Sequence, residues 1–259
     1  MPIINSNGCP LHVTIEGPST GEPILFSHSL GANLHSWDPQ AEALKQRYRV
    51  IRYDRRGHGK SGFSPCTGSI ELLCRDILAI LDELGIESAH YCGLSLGGME
   101  GQWLGAHAPK RLRKLILSNT NHYYADKSLW VNRIESARAN GIEPLADTIL
   151  KNWFTPEFAA DAPDVIARMR VGLISTSVEG YIAACEAIRD MDNRAFLPNI
   201  TAPTLVIAGR RDNATPVQQG EAIRKLIPGA SLTLIDAAHI SNIELPEQYN
   251  DILEGFLGH

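Results

Sequence analysis

Short apolar runs alternate with longer amphipathic stretches through the first half of the chain. Leu11 to Gly17 (LHVTIEG) alternates apolar and polar positions, the two-residue period of an antiparallel strand with one covered face. Pro23 to His28 (PILFSH) is instead a continuous apolar run closed by a polar turn, as expected of a strand covered on both faces. Tyr48 to Asp54, Ser88 to Gly93 and Leu112 to Asn119 read as further strands. Between them, Ile70, Leu73, Ile77, Ile80, Leu81 and Leu84 recur at helical spacing, with Ser69 placed to cap the start and Gly85 the end. A second helix is expected over Gly97 to Ala108, stopped by Pro109. This alternation predicts an α/β fold: a mostly parallel sheet flanked by helices.

The pattern then changes. From Asn121 to about Pro198 no strand is expected, and the segment reads as several helices carrying Tyr123, Tyr124, Trp130, Trp153, Phe154, Phe158 and Tyr181. Alternation returns with strands at Ala202 to Gly209 and Ala230 to Asp236, and with helices at Pro216 to Ile227 and Pro246 to Leu257. Residues 1–120 and 200–259 are therefore expected to form the core. Residues 121–199 are expected to form a helical cap over the carboxyl edge of the sheet, where ligands bind in such folds.

Composition narrows the classes. At 259 residues, with 44% hydrophobic and 20% charged residues, the chain can bury its own core without disulfide or metal staples. The formal net charge is −5 and no basic stripe occurs, which argues against a nucleic-acid partner. The densest basic cluster, Lys110 to Lys114, leads into an apolar run and reads as a solvated helix-to-strand connection. Five cysteines without a CxxC pair suit a reducing cytoplasm. The first residues lack the charged and apolar regions of a signal peptide, and no apolar run is long enough to span a bilayer. No His, Cys, Asp or Glu spacing suggests a metal, and no cofactor is expected; a homo-oligomer is left open.

The candidate chemistry lies at the expected sheet edge. Gly93 to Gly98 (GLSLGG) holds G-x-S-x-G between a strand and a helix, where a serine on a tight turn projects its hydroxyl. Ser95 is the candidate nucleophile. A serine hydroxyl needs a positioned base. Of the nine histidines, His239 stands just past the last expected strand, the last histidine before the terminal residue, and so returns to the edge that holds Ser95. His28 is read as shaping a neighbouring loop, His35 and His58 as structural, and His107 as a helix-end residue. Asp212, after the preceding strand, would orient the imidazole; Asp236 is the alternative acid. The order Ser95, Asp212, His239 is that of α/β hydrolases. The developing oxyanion needs amide donors, each worth about 3–4 kcal/mol, and the amides of Leu96 and Leu30 are the candidates. Tyr53 to Ser61 (YDRRGHGKS) reads as a structural turn, because no helix follows its glycines to make a nucleotide loop.

SHSLGANLHSWDPQ, RYDRRGHGKS, GLSLGGMEGQWLGAHAPKRLRKLILSNT, NWFTPEF, EAIRDMD, APTLVIAG and DAAHISNIE together resemble the 3-oxoadipate enol-lactonase family of α/β hydrolases over nearly the whole chain. The resemblance implies hydrolysis of a small anionic lactone to 3-oxoadipate, within the β-ketoadipate branch of aromatic catabolism. It also implies substrate contacts from Trp130, Arg133 and Trp153, with Arg133 as the clamp for the substrate carboxylate. His122, Tyr123 and Tyr124 depart from the family, as does His28; Tyr123 is taken as a further substrate contact. Another ester, lactone or carbon–carbon hydrolase of this fold is the first alternative. A non-catalytic receptor that keeps the same residues is the second.

Overall fold

The computed structural model describes residues 3–258. Its centre is an eight-stranded sheet in the order β1-β2-β4-β3-β5-β6-β7-β8. The strands are β1 (Ile3–Ser6), β2 (Cys9–Glu16), β3 (Glu22–Ser27), β4 (Tyr48–Tyr53), β5 (Ala89–Leu94), β6 (Leu112–Ser118), β7 (Thr204–Gly209) and β8 (Ser231–Ile235). β1, β2 and β4 pair antiparallel, and from β4 to β8 every pairing is parallel. Every residue of β5 and of β7 is buried, as two-sided coverage requires.

The core helices are α1 (Asp38–Leu44), α2 (Ile70–Glu83), α3 (Leu96–His107), α9 (Val217–Leu226), α10 (Ser241–Glu244) and α11 (Pro246–Leu257). α2 packs on α3, α1 on α11, and α9 on β7 and β8. α2 forms for the expected reasons. The Ser69 hydroxyl accepts from the Leu72 N–H at 3.1 Å, and Gly85 closes the helix at φ +63°. Its Ile70, Leu73, Ile77, Ile80 and Leu81 are buried, each worth about 1.5–3 kcal/mol.

Two elements depart from expectation. β1 forms a hairpin with β2 through Asn7-Gly8, both at positive φ, the turn that an Asn-Gly pair favours. α1 is a short helix begun by Asp38 and Pro39, too brief to leave a periodic signal. Between β6 and β7 the chain forms five helices: α4 (Ser128–Asn140), α5 (Glu143–Trp153), α6 (Pro156–Asp161), α7 (Pro163–Ile174) and α8 (Val178–Asp190). An isolated bridge between Tyr123 and Asp192 joins the entry and exit of this insertion.

The Asp54–Ser61 turn fastens insertion to core. Ser177, which caps α8, donates its amide to the Gly57 carbonyl at 2.8 Å. A Cβ on Gly57 would stand 2.5 Å from the Gly180 Cα, so this approach requires glycine. In the same turn Arg56 forms a two-pronged pair with Asp76, both contacts at 2.6 Å. Among the described residues no single helix is long and apolar enough to cross a membrane.

Candidate active site

Ser95 stands between β5 and α3 at φ +58° and ψ −113°, a conformation that side chains rarely adopt. Three anchors hold it there. Its N–H donates to the Ser118 carbonyl at 2.9 Å, and its own carbonyl accepts from Met99 N–H at 3.1 Å and from the Thr120 hydroxyl at 2.6 Å. The glycines permit the turn. A Cβ on Gly93 would lie 2.1 Å from the Gly97 carbonyl oxygen, and one on Gly97 would lie 2.3 Å from that of Ser27.

Asp212 follows β7 and His239 follows β8. Asp212 Oδ2 meets His239 Nδ1 at 2.9 Å, and both residues are buried. Oδ2 also accepts from the Thr215 hydroxyl at 2.6 Å and from Asn119 Nδ2 at 3.0 Å. Oδ1 accepts the amides of Ala214 and Thr215 at 2.8 and 2.9 Å. Burial would raise the pKa of this carboxyl, but the His239 charge, then the His239, Thr215 and Asn119 hydrogen bonds, outweigh it and hold the carboxyl below its usual range. It is an acceptor fixed on the imidazole Nδ1–H, which leaves Nε2 as the free nitrogen. Asp236, the alternative acid, has no such bond to His239.

Ser95 and His239 line one cavity of about 210 Å³. Ser29 and Leu30 from the turn after β3, Tyr124, Trp130, Arg133, Trp153 and Tyr181 complete much of its wall. Leu96 sits at the first position of α3, where the amide has no partner within the helix. Its side chain is packed in the core and not on the cavity. Ile240 N–H donates to the Trp153 carbonyl at 2.9 Å, so the His239 loop is tied to the end of α5.

Of the cap residues expected at the site, Tyr123 is displaced. Its backbone bridges Asp192, and the Arg194 guanidinium lies 3.5 Å from its ring centre. Tyr124 lines the cavity in its place and packs edge-on to Trp130 at 5.4 Å. Neighbours on an extended segment point to opposite sides, so bridging through Tyr123 turns Tyr124 inward. His122 is half-buried away from the cavity; burial and then Arg194 lower its pKa.

Arg133 is half-buried, with its guanidinium 5.1 Å from the Trp130 ring centre. No carboxylate pairs with it among the described residues. The buried Trp130 Nε1–H likewise has no partner among them. The cavity wall thus carries an unneutralised cation and an unused donor.

Beneath the Ser29–Leu30 turn lies a buried ion pair. Arg55 Nε and Nη2 meet the two Glu100 oxygens at 2.6 and 3.1 Å, and Nη2 also donates to the His28 carbonyl at 2.8 Å. His28 accepts the Arg55 amide on Nε2 at 3.0 Å. Burial, then Arg55 and His58, keep its imidazole pKa far below the ordinary value, so it is neutral. His28 does shape the turn, through its backbone and its ring. Thr215 and Asn119 carry no motif of their own. The D-x-x-T spacing from Asp212 is the one signal that could have pointed to Thr215.

Among the described residues no cluster of three or more His, Cys, Asp or Glu side chains is placed to hold a metal ion.

The model of the α/β hydrolase fold family matches residues 22–246. A 3-oxoadipate enol-lactonase of Acinetobacter baylyi is 38% identical over 241 residues, 93% of this chain and 90% of the relative. A crystal structure of an enol-lactonase from Burkholderia xenovorans superposes with a TM-score of 0.97 at 39% identity, covering 99% of both chains. A protein of Azorhizobium caulinodans named as a carbamate hydrolase, RutD, is 30% identical over 266 residues, 100% of this chain and 98% of its own. The chain belongs to the α/β-hydrolase fold family, in the branch of the 3-oxoadipate enol-lactonases, and is a hydrolase of the ester and lactone type.

Proposed function

We propose that the chain hydrolyses 3-oxoadipate enol-lactone to 3-oxoadipate through an acyl-enzyme formed on Ser95. The observation that carries this reading is the cavity itself. Ser95 and His239 share it with Arg133, a cation without a carboxylate partner, and Asp212 backs His239 at 2.9 Å. At about 210 Å³ the cavity suits a small ring acid better than a long-chain ester.

His239 Nε2 takes the Ser95 hydroxyl proton as Oγ attacks the ring carbonyl, and Asp212 stabilises the imidazolium that forms. The amides of Leu30 and Leu96 take the oxyanion, each donor worth about 3–4 kcal/mol. Collapse of the tetrahedral intermediate breaks the ring C–O bond. The enol oxygen leaves with the proton from His239, and the enol becomes the ketone. Water, deprotonated by His239, then attacks the acyl-enzyme and frees the acid and Ser95. Arg133 and the Trp130 indole N–H hold the substrate carboxylate. The product belongs to the β-ketoadipate branch of aromatic catabolism.

The test is loss of the enol-lactone's ultraviolet absorbance with wild type and with Ser95→Ala. A fall in turnover of about 10⁶-fold is expected in the variant. No decay with wild type, while nitrophenyl acetate is still cleaved, overturns the substrate and keeps the chemistry; a carbamate is then the next substrate to try. Full activity in Ser95→Ala overturns the mechanism.

A further inference from the structure

A larger cavity than the one at Ser95 lies elsewhere in the protein. A cleft of about 560 Å³ opens between α7 and the core, and it shares no lining residue with the Ser95 cavity. We propose that this cleft is a second binding site, for a small organic anion with an apolar body. The inference stands independently of the enol-lactone reading.

α7 offers one face to the cleft. Val165, Arg168, Met169 and Gly172 recur at helical spacing along it, and Val171 forms an exposed apolar lip. Ala32, Pro39 and Ile243 supply apolar wall from the core. Gly172 sets the closeness of the two parts, since a Cβ there would lie 2.8 Å from Asn33 Nδ2.

The charges in the cleft do not cancel. Asp38 is taken up by Arg52 and by His35. Asp54 is taken up by the amides of Leu34 and Lys60, at 2.8 and 2.9 Å, and by His12. Lys60 and Arg168 are left, and among the described residues neither side chain has an ionic or hydrogen-bond partner. An apolar cleft that retains two free cations beside two satisfied carboxylates selects an anion over a neutral or cationic ligand.

The cleft and the Ser95 cavity are separated by one tight turn. Ser29 and Leu30 face the cavity, Ala32 and Asn33 face the cleft, and the Ala32 N–H donates to the Ser29 carbonyl at 3.1 Å. A Cβ on Gly31 between them would lie 2.4 Å from Leu173 Cδ1 of α7. An occupant of the cleft therefore rests on the far side of the turn that carries the Leu30 amide.

The probe is 8-anilinonaphthalene-1-sulfonate, an apolar anion whose fluorescence rises on binding, with octanoate and octanol as competitors. Octanoate should displace it and octanol should not. Lys60→Glu with Arg168→Glu should weaken the probe at least about tenfold. Val165→Trp, which fills the cleft from α7, should do the same. Arg133→Glu, in the other cavity, should leave binding within about twofold. Retained melting temperatures would show that the variants are folded. The proposal is overturned if wild type shows no binding that octanoate displaces, if both cleft variants bind as wild type does, or if Arg133→Glu is the most damaging change.

Discussion

Glu100→Gln tests how far a buried ion pair under the Leu30 turn holds the protein and its chemistry together. Glu100 is 0% exposed and Arg55 is 1% exposed. Glu100 Oε2 is met by the Ser27, Tyr53 and Tyr91 hydroxyls at 2.5, 3.3 and 3.3 Å as well as by Arg55 Nη2. In the glutamine the oxygen must keep that crowded side, so the amide N–H₂ faces Arg55 Nε, now 2.6 Å from Oε1. Two donors then oppose each other and the buried guanidinium loses its counter-charge. Burial alone would lower the Arg55 pKa; Glu100 outweighs it and the net shift is upward. Removing one partner of such a pair costs about 3–5 kcal/mol, a large share of the roughly 5–15 kcal/mol that holds a domain. The assay is urea unfolding at pH 7, with kcat and KM for nitrophenyl acetate measured alongside. Because Arg55 also holds the His28 carbonyl, kcat should fall more than KM rises. Arg55→Met with Glu100→Leu should cost less than the sum of its two single changes, because an apolar pair leaves no buried charge. A loss of stability below about 1 kcal/mol in Glu100→Gln, or strict additivity in the double variant, refutes the reasoning.

Three further outcomes follow from the same geometry. Asn119→Asp sets a second carboxylate about 3.0 Å from Asp212 Oδ2, so one of the two must be protonated at higher pH than Asp212 is now; kcat/KM should fall about 10–100-fold and the acidic limb of its pH profile should move up, and an unshifted limb would contradict this. His58 is held neutral, with its pKa lowered to about 3 by burial and then Arg55, and His28 is lowered in the same direction. Their folded-state pKa values lie below the unfolded value of about 6.5, so the unfolded chain binds more protons in that window; stability is full above about 6.5 and falls as pH drops, by about 2–3 kcal/mol for the pair between pH 7.5 and 5.5. Urea unfolding at those two pH values checks this, and equal stability at both would sink it. Gly98→Val puts a Cβ about 2.5 Å from Thr120 Cβ, and Thr120 is the residue that holds the Ser95 carbonyl; a loss of about 1–3 kcal/mol by thermal unfolding is expected with turnover down more than tenfold, whereas wild-type turnover would show that Thr120 does not hold the turn.

The parts of this molecule legible in the sequence are those where one local rule dominates. α2 was readable because its cap, its apolar spacing and its closing glycine agree. The turn at Ser95 was readable because a Cβ on Gly93 or Gly97 would lie within 2.3 Å of a neighbouring carbonyl oxygen, so only glycine fits there. Asn7-Gly8 carried a hairpin signal of the same kind, but the strand before it is only 4 residues long. The cavity wall was less legible because it depends on which way an irregular segment faces. Tyr123 and Tyr124 are equivalent as sequence, and only the bridge from Tyr123 to Asp192, 69 positions further on, decides which of them meets the cavity. The cleft at α7 had no signature at all, since it is assembled from four separate segments of core and insertion.

Strand order explains why Asp212 and His239 meet, and why a strand that contributes neither is needed between them and Ser95. β7 and β8 are parallel neighbours with Gly209 paired to Ile235, so the chains that lead to Asp212 and His239 leave the sheet side by side, about 4.8 Å apart. Ser95 leaves from β5, two strands from β7, and β6 fills the gap. β6 ends where Leu94 pairs with Ser118, and its next two residues turn opposite ways. Asn119, at φ +45°, donates to Asp212 Oδ2 at 3.0 Å and to the Ala238 carbonyl at 3.2 Å, and so grips Asp212 and the residue before His239. Its carbonyl oxygen Oδ1 accepts the Ser118 and Ser241 hydroxyls at 3.0 and 2.7 Å, which fixes the amide's orientation. Thr120 grips the other side through the Ser95 carbonyl at 2.6 Å. Two consecutive polar residues at the end of a strand thus tie the Ser95 turn to Asp212 and to the loop of His239. Trp130, Arg133 and Trp153, which line the same cavity, come from an insertion that these bonds do not touch. Substitutions at Asn119 or Thr120 should therefore lower turnover on every ester alike, whereas substitutions at Trp130 or Arg133 should change which ester is preferred.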